Sequence, residues 1–414
     1  MTTNFTLIFL ATLSATLGVR LWLANRHIRH VTAHRDHVPA EFSDRISLTA
    51  HQKAADYTID RSRAGIASHI VDAALLLALT LGGGLAALHD FWLPRLDGLA
   101  YGLAMIFSLM LISGLIDLPY SLYQQFVIEA RHGFNRMSLG LFFADLGKQT
   151  VLGILIGAPV ILAVLWLMGA MGTYWWFYVW TFWSIFNLLI MFIYPTWIAP
   201  LFNKFSPLEE GEMKRRIENL LARCGFRSNG LFVMDGSKRS SHGNAYFTGF
   251  GNNKRIVFFD TLLARLTPPE VEAVLAHELG HFRHRHILQR MVLMFAASLA
   301  FLWLLGQLIE APWFFSGLGV PAQNTALALI LFFPVIPVFT FPLGPIGSYL
   351  SRRNEFEADA YAAQNASADD LCRALVKLYQ DNASTLTPDP LHSLFYDSHP
   401  PAAQRIAHLL KVAA

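Results

Sequence analysis

The sequence predicts an α-helical membrane protein that crosses the bilayer about seven times, and three observations point to this fold class. Hydrophobic residues make up 54% of the 414 residues and charged residues only 15%, whereas soluble proteins average roughly 25% charged residues. The mean hydropathy is +0.39. Seven stretches are apolar for about 20 residues, the helix length that crosses a bilayer core. This composition excludes an ordinary soluble enzyme, and a net charge of +3 gives no reason to expect nucleic acid as a partner.

The seven candidate spans differ in how regular a helix they can form. The second contains three consecutive glycines at 82–84 and the seventh contains four prolines, so both are predicted to be kinked. The first has no basic residue before its apolar run, whereas Arg20 and Arg26 come at or after its end. This order is the reverse of a secretory signal and predicts a retained helix with its amino end outside. The spans cover residues 5–24, 65–88, 99–118, 151–171, 175–198, 291–309 and 325–346.

Basic residues are concentrated in the loops on one side of these spans. Residues 25–64 carry seven Lys and Arg and residues 120–148 carry three, whereas the short loops of the opposite side have Arg95 alone. Short cytoplasmic loops are enriched in Lys and Arg. The count of 10 against 1 therefore predicts that the two long polar regions on the same side, residues 199–290 and 347–414, are cytosolic.

The spans and polar regions predict four consecutive parts. Cys224 and Cys372 fall in the cytosolic parts, where thiols stay reduced, and two cysteines cannot build a disulfide framework or a four-thiolate metal site. The parts are residues 1–198 with five spans, residues 199–290 as a cytosolic domain, residues 291–346 with two spans, and residues 347–414 as a second cytosolic part.

The first cytosolic region shows the periodicities of a small α+β domain. A clear helix start follows its strands: Thr267 at the N-cap, Pro268 at the first helical position and Glu270 three residues after the cap. The elements predicted before it are a helix at 207–224, a strand at 231–234, and a hairpin of strands 244–248 and 255–259.

The helix that begins after Thr267 carries the main motif, H-E-x-x-H at residues 277–281. On a helix, His277 and His281 lie on one face about one turn apart, so both imidazoles can bind one Zn²⁺. The adjacent Glu278 can take a proton from a water molecule that zinc activates and pass it to the leaving amine. The motif therefore predicts a zinc-dependent peptide hydrolase.

A catalytic zinc usually has three protein ligands. The metzincin pattern would put a third histidine at position 287, but that residue is Ile287. His284 and His286 are off register, and we interpret them as solvated or interfacial residues.

The third ligand must therefore come from elsewhere, and three carboxylates follow the last span. Glu355 and Asp359 share a helix face at i, i+4, whereas Glu357 points away from that face. One of the first two can bind zinc while the other orients a ligand histidine. An ordinary charged helix face is the alternative interpretation of this segment.

In these motifs the sequence resembles the M48 metallopeptidases of the Ste24 type, the CAAX prenyl protease 1 family of integral membrane proteases. The resemblance covers nearly the whole chain and rests on long, unusual strings beside H-E-L-G-H. They lie at residues 194–195, 202–205, 236–246, 254–262, 355–359 and 398–401.

This resemblance implies a role for each matching residue. His277, His281 and Glu355 would bind one zinc ion per chain, Glu278 would be the general base, and Asp359 would lie behind the ligands.

The resemblance also implies how substrate is held and how the protein is built. Asn244 is similar to a residue that holds the substrate backbone, and His399 resembles one that helps stabilise the oxyanion. On the sequence alone the two would be a turn or edge-strand residue and a surface-loop residue. The implied fold has seven helices around a water-filled intramembrane chamber, with a gluzincin-like α+β metalloprotease domain at its cytosolic end.

Two other functions compete with a Ste24-like protease. An HtpX-like protease that clips damaged membrane proteins is the nearest alternative, but such chains are typically shorter with fewer spans. A transporter with a vestigial metal site would need inverted repeats, and the sequence contains no internal repeat.

The expected partners are the lipid bilayer and a peptide or protein substrate, either C-terminal and CAAX-like or membrane-associated. Residues 411–414 carry no retrieval signal of the endoplasmic reticulum. We therefore expect a bacterial cytoplasmic membrane rather than the endoplasmic reticulum, with the active site on the cytosolic side. In that setting prenylated CAAX proteins would not be the native substrates.

Overall fold

The chain is mostly helical in the computed structural model, which describes residues 1–248 and 255–413. Within these residues seven helices are long and apolar enough to cross a membrane, as the sequence predicts. Most of them extend beyond the predicted apolar runs, because a helix can continue into polar residues outside the hydrocarbon layer. The seven are Thr2–Ala33, Leu48–Leu79, Gly98–Arg131, Leu139–Ala170, Gly172–Leu201, His286–Leu308 and Thr325–Asn365.

Helices and strands are numbered here in chain order, and short 3₁₀ or π turns divide some spans into two or more of them. The helices are α1 Thr2–Ala33, α2 Leu48–Leu79, α3 Gly84–Trp92, α4 Gly98–Tyr123, α5 Glu129–Arg131, α6 Leu139–Ala170, α7 Trp175–Ile193, α8 Glu212–Arg223, α9 Asp260–Leu263, α10 Pro268–Arg283, α11 His286–Leu308, α12 Pro312–Ser316, α13 Thr325–Thr340, α14 Gly344–Asn365, α15 Ala368–Asp381, α16 Pro390–Tyr396 and α17 Ala402–Ala413. The strands are β1 Phe205–Pro207, β2 Leu231–Met234, β3 Ala245–Thr248 and β4 Arg255–Phe259.

The two spans with predicted kinks are both interrupted. In the second, α2 ends at Leu79 and α3 begins at Gly84, so the helix breaks instead of bending. Gly83 between them has a φ of +80°, a left-handed conformation that glycine adopts without strain. In the seventh, two prolines lie inside α13, and a short turn at Phe341–Leu343 separates it from α14. The last span therefore continues into α14, which carries the acidic residues named above.

The apolar side chains form two main cores, one among the membrane helices and one around the sheet. The buried residues of the membrane core include Met105, Leu165, Leu305, Leu327, Leu331 and Phe332. The second core joins α8, α10, α15 and α17 to the strands, so it fixes the motif helix on the sheet. Its buried residues include Ile217, Leu220, Ile256, Phe258, Val271, Leu275, Leu371, Leu375 and Leu409.

The four strands form one sheet in the order β1-β2-β4-β3. β2 and β4 are parallel, and the two outer pairs are antiparallel. Ala245 lies opposite Phe258 and Thr248 opposite Arg255, which is the register of the predicted hairpin, although its turn at 249–254 lies outside the described residues. The predicted strand at 231–234 is also confirmed.

The predicted helix at 207–224 is wrong at its start. Phe205–Pro207 is strand β1, which pairs antiparallel with β2, and α8 begins only at Glu212. The apolar Leu208 therefore belongs to the chain that leaves the strand, where it is buried in the second core. Tertiary pairing overrides the helical periodicity at this point.

The predicted start of the motif helix is confirmed. The Thr267 side chain accepts from the backbone of the first turn, and the Glu270 carboxylate accepts from the Thr267 N–H at 2.8 Å. This reciprocal pair satisfies N–H groups that a helix start leaves without partners.

Candidate metal centre

The site forms where α10 and α14 approach each other unusually closely. A Cβ added to Gly280 would lie 2.8 Å from the Cα of Ala358 and 3.0 Å from its carbonyl oxygen. Only glycine leaves room for this approach. The glycine inside the H-E-x-x-H motif therefore lets the histidine face of α10 meet the acidic face of α14.

Three side chains converge at this contact. His277 Nε2 lies 3.2 Å from His281 Nε2. Glu355 Oε2 lies 3.5 Å from His277 Nε2, and Glu355 Oε1 lies 3.3 Å from His281 Nε2. The ligand atoms of all three residues lie within 4.8 Å of one another, the one such group among the described residues.

The chemistry of this donor set fits a zinc ion. Two imidazole nitrogens and one carboxylate are a common protein ligand set of catalytic zinc. Glu355 Oε2 is buried, and its two nearest nitrogens, His399 Nδ1 at 2.8 Å and Arg405 Nη1 at 3.5 Å, do not form a hydrogen bond of good geometry with it. A buried carboxylate oxygen in that state is available to bind a cation. His277 and Glu355 are both buried, so an ion here would exchange part of its hydration shell for these protein ligands.

Asp359 and Arg405 lie directly behind His277. Asp359 Oδ1 lies 2.8 Å from His277 Nδ1, and Arg405 donates to the same carboxylate through Nη2 and Nε. Burial lowers the pKa of His277, but its contacts with Asp359 and Glu355 outweigh burial and raise the pKa to about 9. A hydrogen bond from Nδ1–H to a carboxylate leaves Nε2 free to bind metal.

Arg405 was not predicted from the sequence. It lies on α17 and is buried. Its one sequence signal is its place on an amphipathic C-terminal helix, six residues after His399. A single charged residue on such a helix is usually solvated, so the sequence alone does not single it out.

The interpretation of His286 as a solvated residue is wrong, whereas its position at the start of a span leaves the interfacial alternative a prediction. Only 4% of His286 is exposed, and its Nδ1 lies 2.9 Å from His281 Nδ1. Its other nitrogen lies 3.1 Å from Glu357, the carboxylate that points away from the face shared by Glu355 and Asp359. By contrast, His284 is exposed, in agreement with the prediction.

The remaining predicted residue of the motif, Glu278, is half-buried on α10 directly after His277. Its carboxylate makes no hydrogen bond or ion pair with the residues that the structure describes. Its carboxylate is therefore not committed to another side chain of the described residues.

His399 reaches the same cluster from the segment between α16 and α17. Its Nδ1 lies 2.8 Å from Glu355 Oε2, and its side chain is 62% exposed. Arg352 of α14 donates to the carbonyl of Ser393 in α16 at 3.0 Å and to that of Asp397, the first residue of this segment, at 2.9 Å. His399 is therefore beside the candidate ligands and open to solvent.

Asn244 lies directly before the edge strand β3, and its hydrogen bonds within the described chain go to the sheet rather than to the ligand cluster. Its carbonyl accepts from the Phe259 N–H at 2.9 Å, and its side-chain oxygen accepts from the Ala245 N–H at 2.8 Å. In the described sheet β3 pairs with β4 alone, so its other edge is open.

A polar network joins the start of β3 to the membrane helices. His242 Nε2 lies 3.2 Å from Glu129, which also accepts from the Tyr57 hydroxyl at 2.5 Å. Asn382 at the end of α15 accepts from the Gly243 N–H and lies 3.3 Å from His242 Nδ1. The residues just before Asn244 are thus fixed from both the membrane helices and α15.

Comparison with known proteins agrees with this architecture. Residues 27–204 match the family model described as CAAX prenyl protease N-terminal, five membrane helices, and residues 207–413 match peptidase family M48. The chain is 38% identical over 379 residues to a CAAX prenyl protease 1 homolog of Arabidopsis thaliana, covering 87% of each chain. It is 34% identical to the CAAX prenyl protease 1 homolog of Homo sapiens, covering 97% of this chain and 95% of the relative. The crystal structure of S. mikatae Ste24p superposes with a TM-score of 0.92 at 32% identity, covering 98% of this chain and 99% of that one.

The fold, the candidate site and these matches define a class: the protein is an integral, multi-pass membrane metallopeptidase that depends on zinc. Within that class, the chain belongs to the CAAX prenyl protease 1 family, of the Ste24 type. The predicted fold class, enzyme class and cofactor are thereby confirmed. These matches do not support the HtpX-like alternative better than a Ste24-like protease. The relatives described above are eukaryotic, so they do not support the expected bacterial membrane.

Proposed function

We propose that the protein hydrolyses peptide bonds at a single zinc site held by His277, His281 and Glu355. The observation that carries the proposal is the convergence of these three side chains, whose ligand atoms lie within 4.8 Å of one another. When bound, zinc supplies Lewis-acid chemistry, polarising a carbonyl and making water acidic near neutral pH. The rest of the chemistry belongs to side chains of the chain itself.

Glu278 is the proposed general base and acid. Its carboxylate takes a proton from the water that attacks the peptide carbonyl and then gives a proton to the leaving amine. The support is its position directly beside His277, half-buried and without an ion-pair partner in the described chain.

Asp359 is proposed to orient His277, and His399 to stabilise the reacting oxygen. Asp359 lies 2.8 Å from His277 Nδ1, which supports a hydrogen bond that fixes the ligand's ring. His399 lies beside Glu355 and is largely exposed, so its ring can donate to the substrate oxygen that becomes negative.

Asn244 and the open edge of β3 are proposed to hold the substrate backbone. An extended peptide can add to a sheet edge as a further strand, which supplies hydrogen bonds without demanding a particular sequence. The unpaired outer edge of β3 in the described sheet and the fixed segment before it support this role.

The proposed substrates are peptides or proteins that are membrane-associated or end in a CAAX-like C-terminus. The names of the relatives refer to CAAX prenyl proteases, and this resemblance supports a prenylated substrate. The expectation of a bacterial membrane, where prenylated CAAX proteins are not native substrates, stays a prediction. Three peptides of one sequence separate these options: a farnesylated CAAX peptide, its unmodified form and its C-terminal amide. Preference for the first two over the amide would establish recognition of the free C-terminus, and preference for the first alone would establish recognition of the lipid.

The proposed topology has the zinc site on the cytosolic side. It is supported by the excess of Lys and Arg in the short loops of that side. Cys224 is the useful native label, because Cys372 is buried. A membrane-impermeant maleimide should react with Cys224 only after the cells are opened, whereas a cysteine placed at the exposed Arg95 should react in intact cells. Labelling of Cys224 without lysis would overturn the topology.

The decisive experiment for the site compares the purified full-length protein with its Glu278→Gln variant. We expect one zinc ion per chain in both, with peptidase activity lost in the variant, because Gln keeps the size of Glu but accepts no proton. His277→Ala serves as the matched variant that should lose the metal as well. A Glu278→Gln protein with more than about 5% of wild-type turnover would remove Glu278 from the mechanism.

A further inference from the structure

His281 contacts, on the side away from the other ligands, a residue that has no role in the proposed site. His286 Nδ1 lies 2.9 Å from His281 Nδ1, and His286 Nε2 lies 3.1 Å from Glu357 Oε2. We infer that His286 is a positioning residue that, with Glu357, holds His281 in the tautomer and orientation needed to bind zinc. This inference rests on the proposed role of His281 as a zinc ligand.

The backbone between α10 and α11 is shaped to make this contact. α10 ends at Arg283 and α11 begins at His286, with a two-residue turn between them. Arg285 in that turn has φ of 58° and ψ of 31°, a left-handed conformation that residues with a side chain rarely adopt. This strained residue lies in the turn that brings His286 into contact with His281. Strained backbone conformations concentrate at functional sites.

The positions of the imidazole protons follow from the row of hydrogen bonds that joins His281, His286 and Glu357. If His281 binds metal through Nε2, its proton must be on Nδ1, where it can be donated to His286. His286 Nδ1 then accepts, so the proton of that ring is on Nε2 and is donated to the Glu357 carboxylate 3.1 Å away. Reversing the first hydrogen bond would put the His281 proton on Nε2 and block metal binding. The carboxylate at the far end therefore selects the ligating tautomer.

The two ligand histidines are thus supported in different ways. His277 contacts a carboxylate directly, through Asp359. His281 contacts a second imidazole, which in turn meets a carboxylate that also accepts from Arg353 Nε at 3.1 Å. Both supports end at carboxylates of α14, so the same helix that supplies Glu355 also orients both histidines. Partners of this kind commonly change metal affinity or activity by about 10–100-fold when removed.

Three substitutions of His286 separate hydrogen bonding from packing. Asn can place its Oδ1 near the position of the histidine Nδ1, whereas Gln places its amide near Nε2 and Ala offers no acceptor. For the purified full-length protein, competition with a chromophoric chelator should show zinc bound about 10–100-fold more weakly by His286→Ala and His286→Gln. His286→Asn should stay within about threefold of wild type. His37→Ala, a change at an exposed histidine outside the site, should leave the affinity unchanged.

Turnover measured at low and at excess zinc distinguishes a role in positioning the ligand from a general effect on the fold. Because His281 itself remains, excess zinc should restore turnover to His286→Ala but not to His281→Ala. KM should stay near the wild-type value, since His286 is buried and acts through the ligand. Co²⁺ substituted for zinc provides a spectroscopic check, since a reoriented ligand alters its visible absorption.

Two results would overturn the inference: wild-type zinc affinity in His286→Ala, or a His286→Asn protein as weak as His286→Ala. If the His286 variants do not fold, Glu357→Ala decides instead, because that side chain is about one-third exposed. It should bind zinc up to about tenfold more weakly, and unchanged affinity would count against the inference. Failure of the proposed function is distinguishable, because it would appear as a wild-type protein without one zinc per chain or an active Glu278→Gln variant.

Discussion

Arg405 of α17 donates two hydrogen bonds to Asp359 of α14, at 2.6 Å from Nη2 and 2.9 Å from Nε, although 46 residues separate the two along the chain. Asp359 is fully buried and Arg405 is 6% exposed. A buried ion pair of this geometry is retained only when further hydrogen bonds satisfy its remaining atoms. His277 supplies one of them, so the C-terminal helix, the acidic helix and the motif helix meet in one network.

Replacing Arg405 should destabilise the protein and lower its affinity for zinc. Arg405→Leu leaves the Asp359 carboxylate buried without its guanidinium, which costs about 3–5 kcal/mol. Thermal unfolding in detergent, with and without zinc, measures the loss. Arg373→Leu is the matched control, because the Arg373 side chain is 52% exposed where it pairs with Asp370, and an arginine paired at the surface contributes about 0–1 kcal/mol. Equal losses in the two variants would mean that the buried pair has no special role.

Gly280→Ala should separate α10 from α14. The new Cβ would meet the backbone of Ala358, which cannot move aside as a flexible side chain could. Overpacking of this kind costs about 1–3 kcal/mol, and the shift should also loosen zinc binding. Gly347→Ala on α14 is the control, since nothing lies within 4 Å of its added Cβ. Wild-type zinc affinity and stability in Gly280→Ala would show that the close approach is not required.

Zinc binding to the metal-free protein should depend on pH. The pKa of His277 is raised to about 9 by Asp359 and Glu355 despite burial, so its ring is protonated at neutral pH when no metal is present. Zinc binds only the unprotonated ring, so the apparent affinity should rise as the pH increases towards 9. Titration calorimetry in buffers of different ionisation enthalpy should detect release of a proton near pH 7. Asp359→Asn should reduce that release, and no proton release in wild type would contradict the raised pKa.

The same pKa shift has a consequence for the stability of the metal-free protein. The protonated ring is favoured in the folded state, because the pKa of His277 lies above the ordinary value of 6.5. Its stabilising contribution is fully present below pH about 6.5 and is lost as the pH rises towards about 9. Melting temperatures of zinc-free wild type should therefore fall over this range by more than those of Asp359→Asn.

His399→Ala should reduce catalysis without removing zinc. Loss of one donor to a developing oxyanion lowers kcat by about a hundredfold or more, and kcat/KM should fall in parallel. His399 is exposed and touches Glu355 from outside the ligand set, so metal content should be unchanged. Wild-type kinetics with metal intact would exclude His399 from the mechanism.

Changes at the start of β3 should affect substrate binding. Asn244→Ala should raise KM for an extended peptide, and Glu129→Gln should do so more weakly by loosening His242. Neither variant should lose zinc, because both residues lie outside the ligand cluster. Binding of a small chelating inhibitor provides the control, since it needs the metal but not the strand edge. A loss of inhibitor affinity equal to the loss for peptide would contradict a role in holding the substrate backbone.

The elements that the sequence determined by itself are those set by local chemistry. Apolar runs of membrane length indicated all seven spans, and the capping box at Thr267 and Glu270 located the start of the motif helix. The spacing of His277 and His281 put both rings on one helix face. Each of these depends on residues a few positions apart, so periodicity and capping rules suffice.

Contacts between distant segments were decided only by the tertiary structure. Residue spacing indicated that Glu355 or Asp359 could reach the histidines, but not which atoms would meet. The contact between Arg405 and His277 spans 128 residues and left no pattern in the sequence. His286 was misjudged because its register was measured along a continuous helix, whereas the left-handed Arg285 turns the chain back onto His281. The start of α8 was misplaced for a related reason, since pairing of β1 with β2 overrides local helical preference.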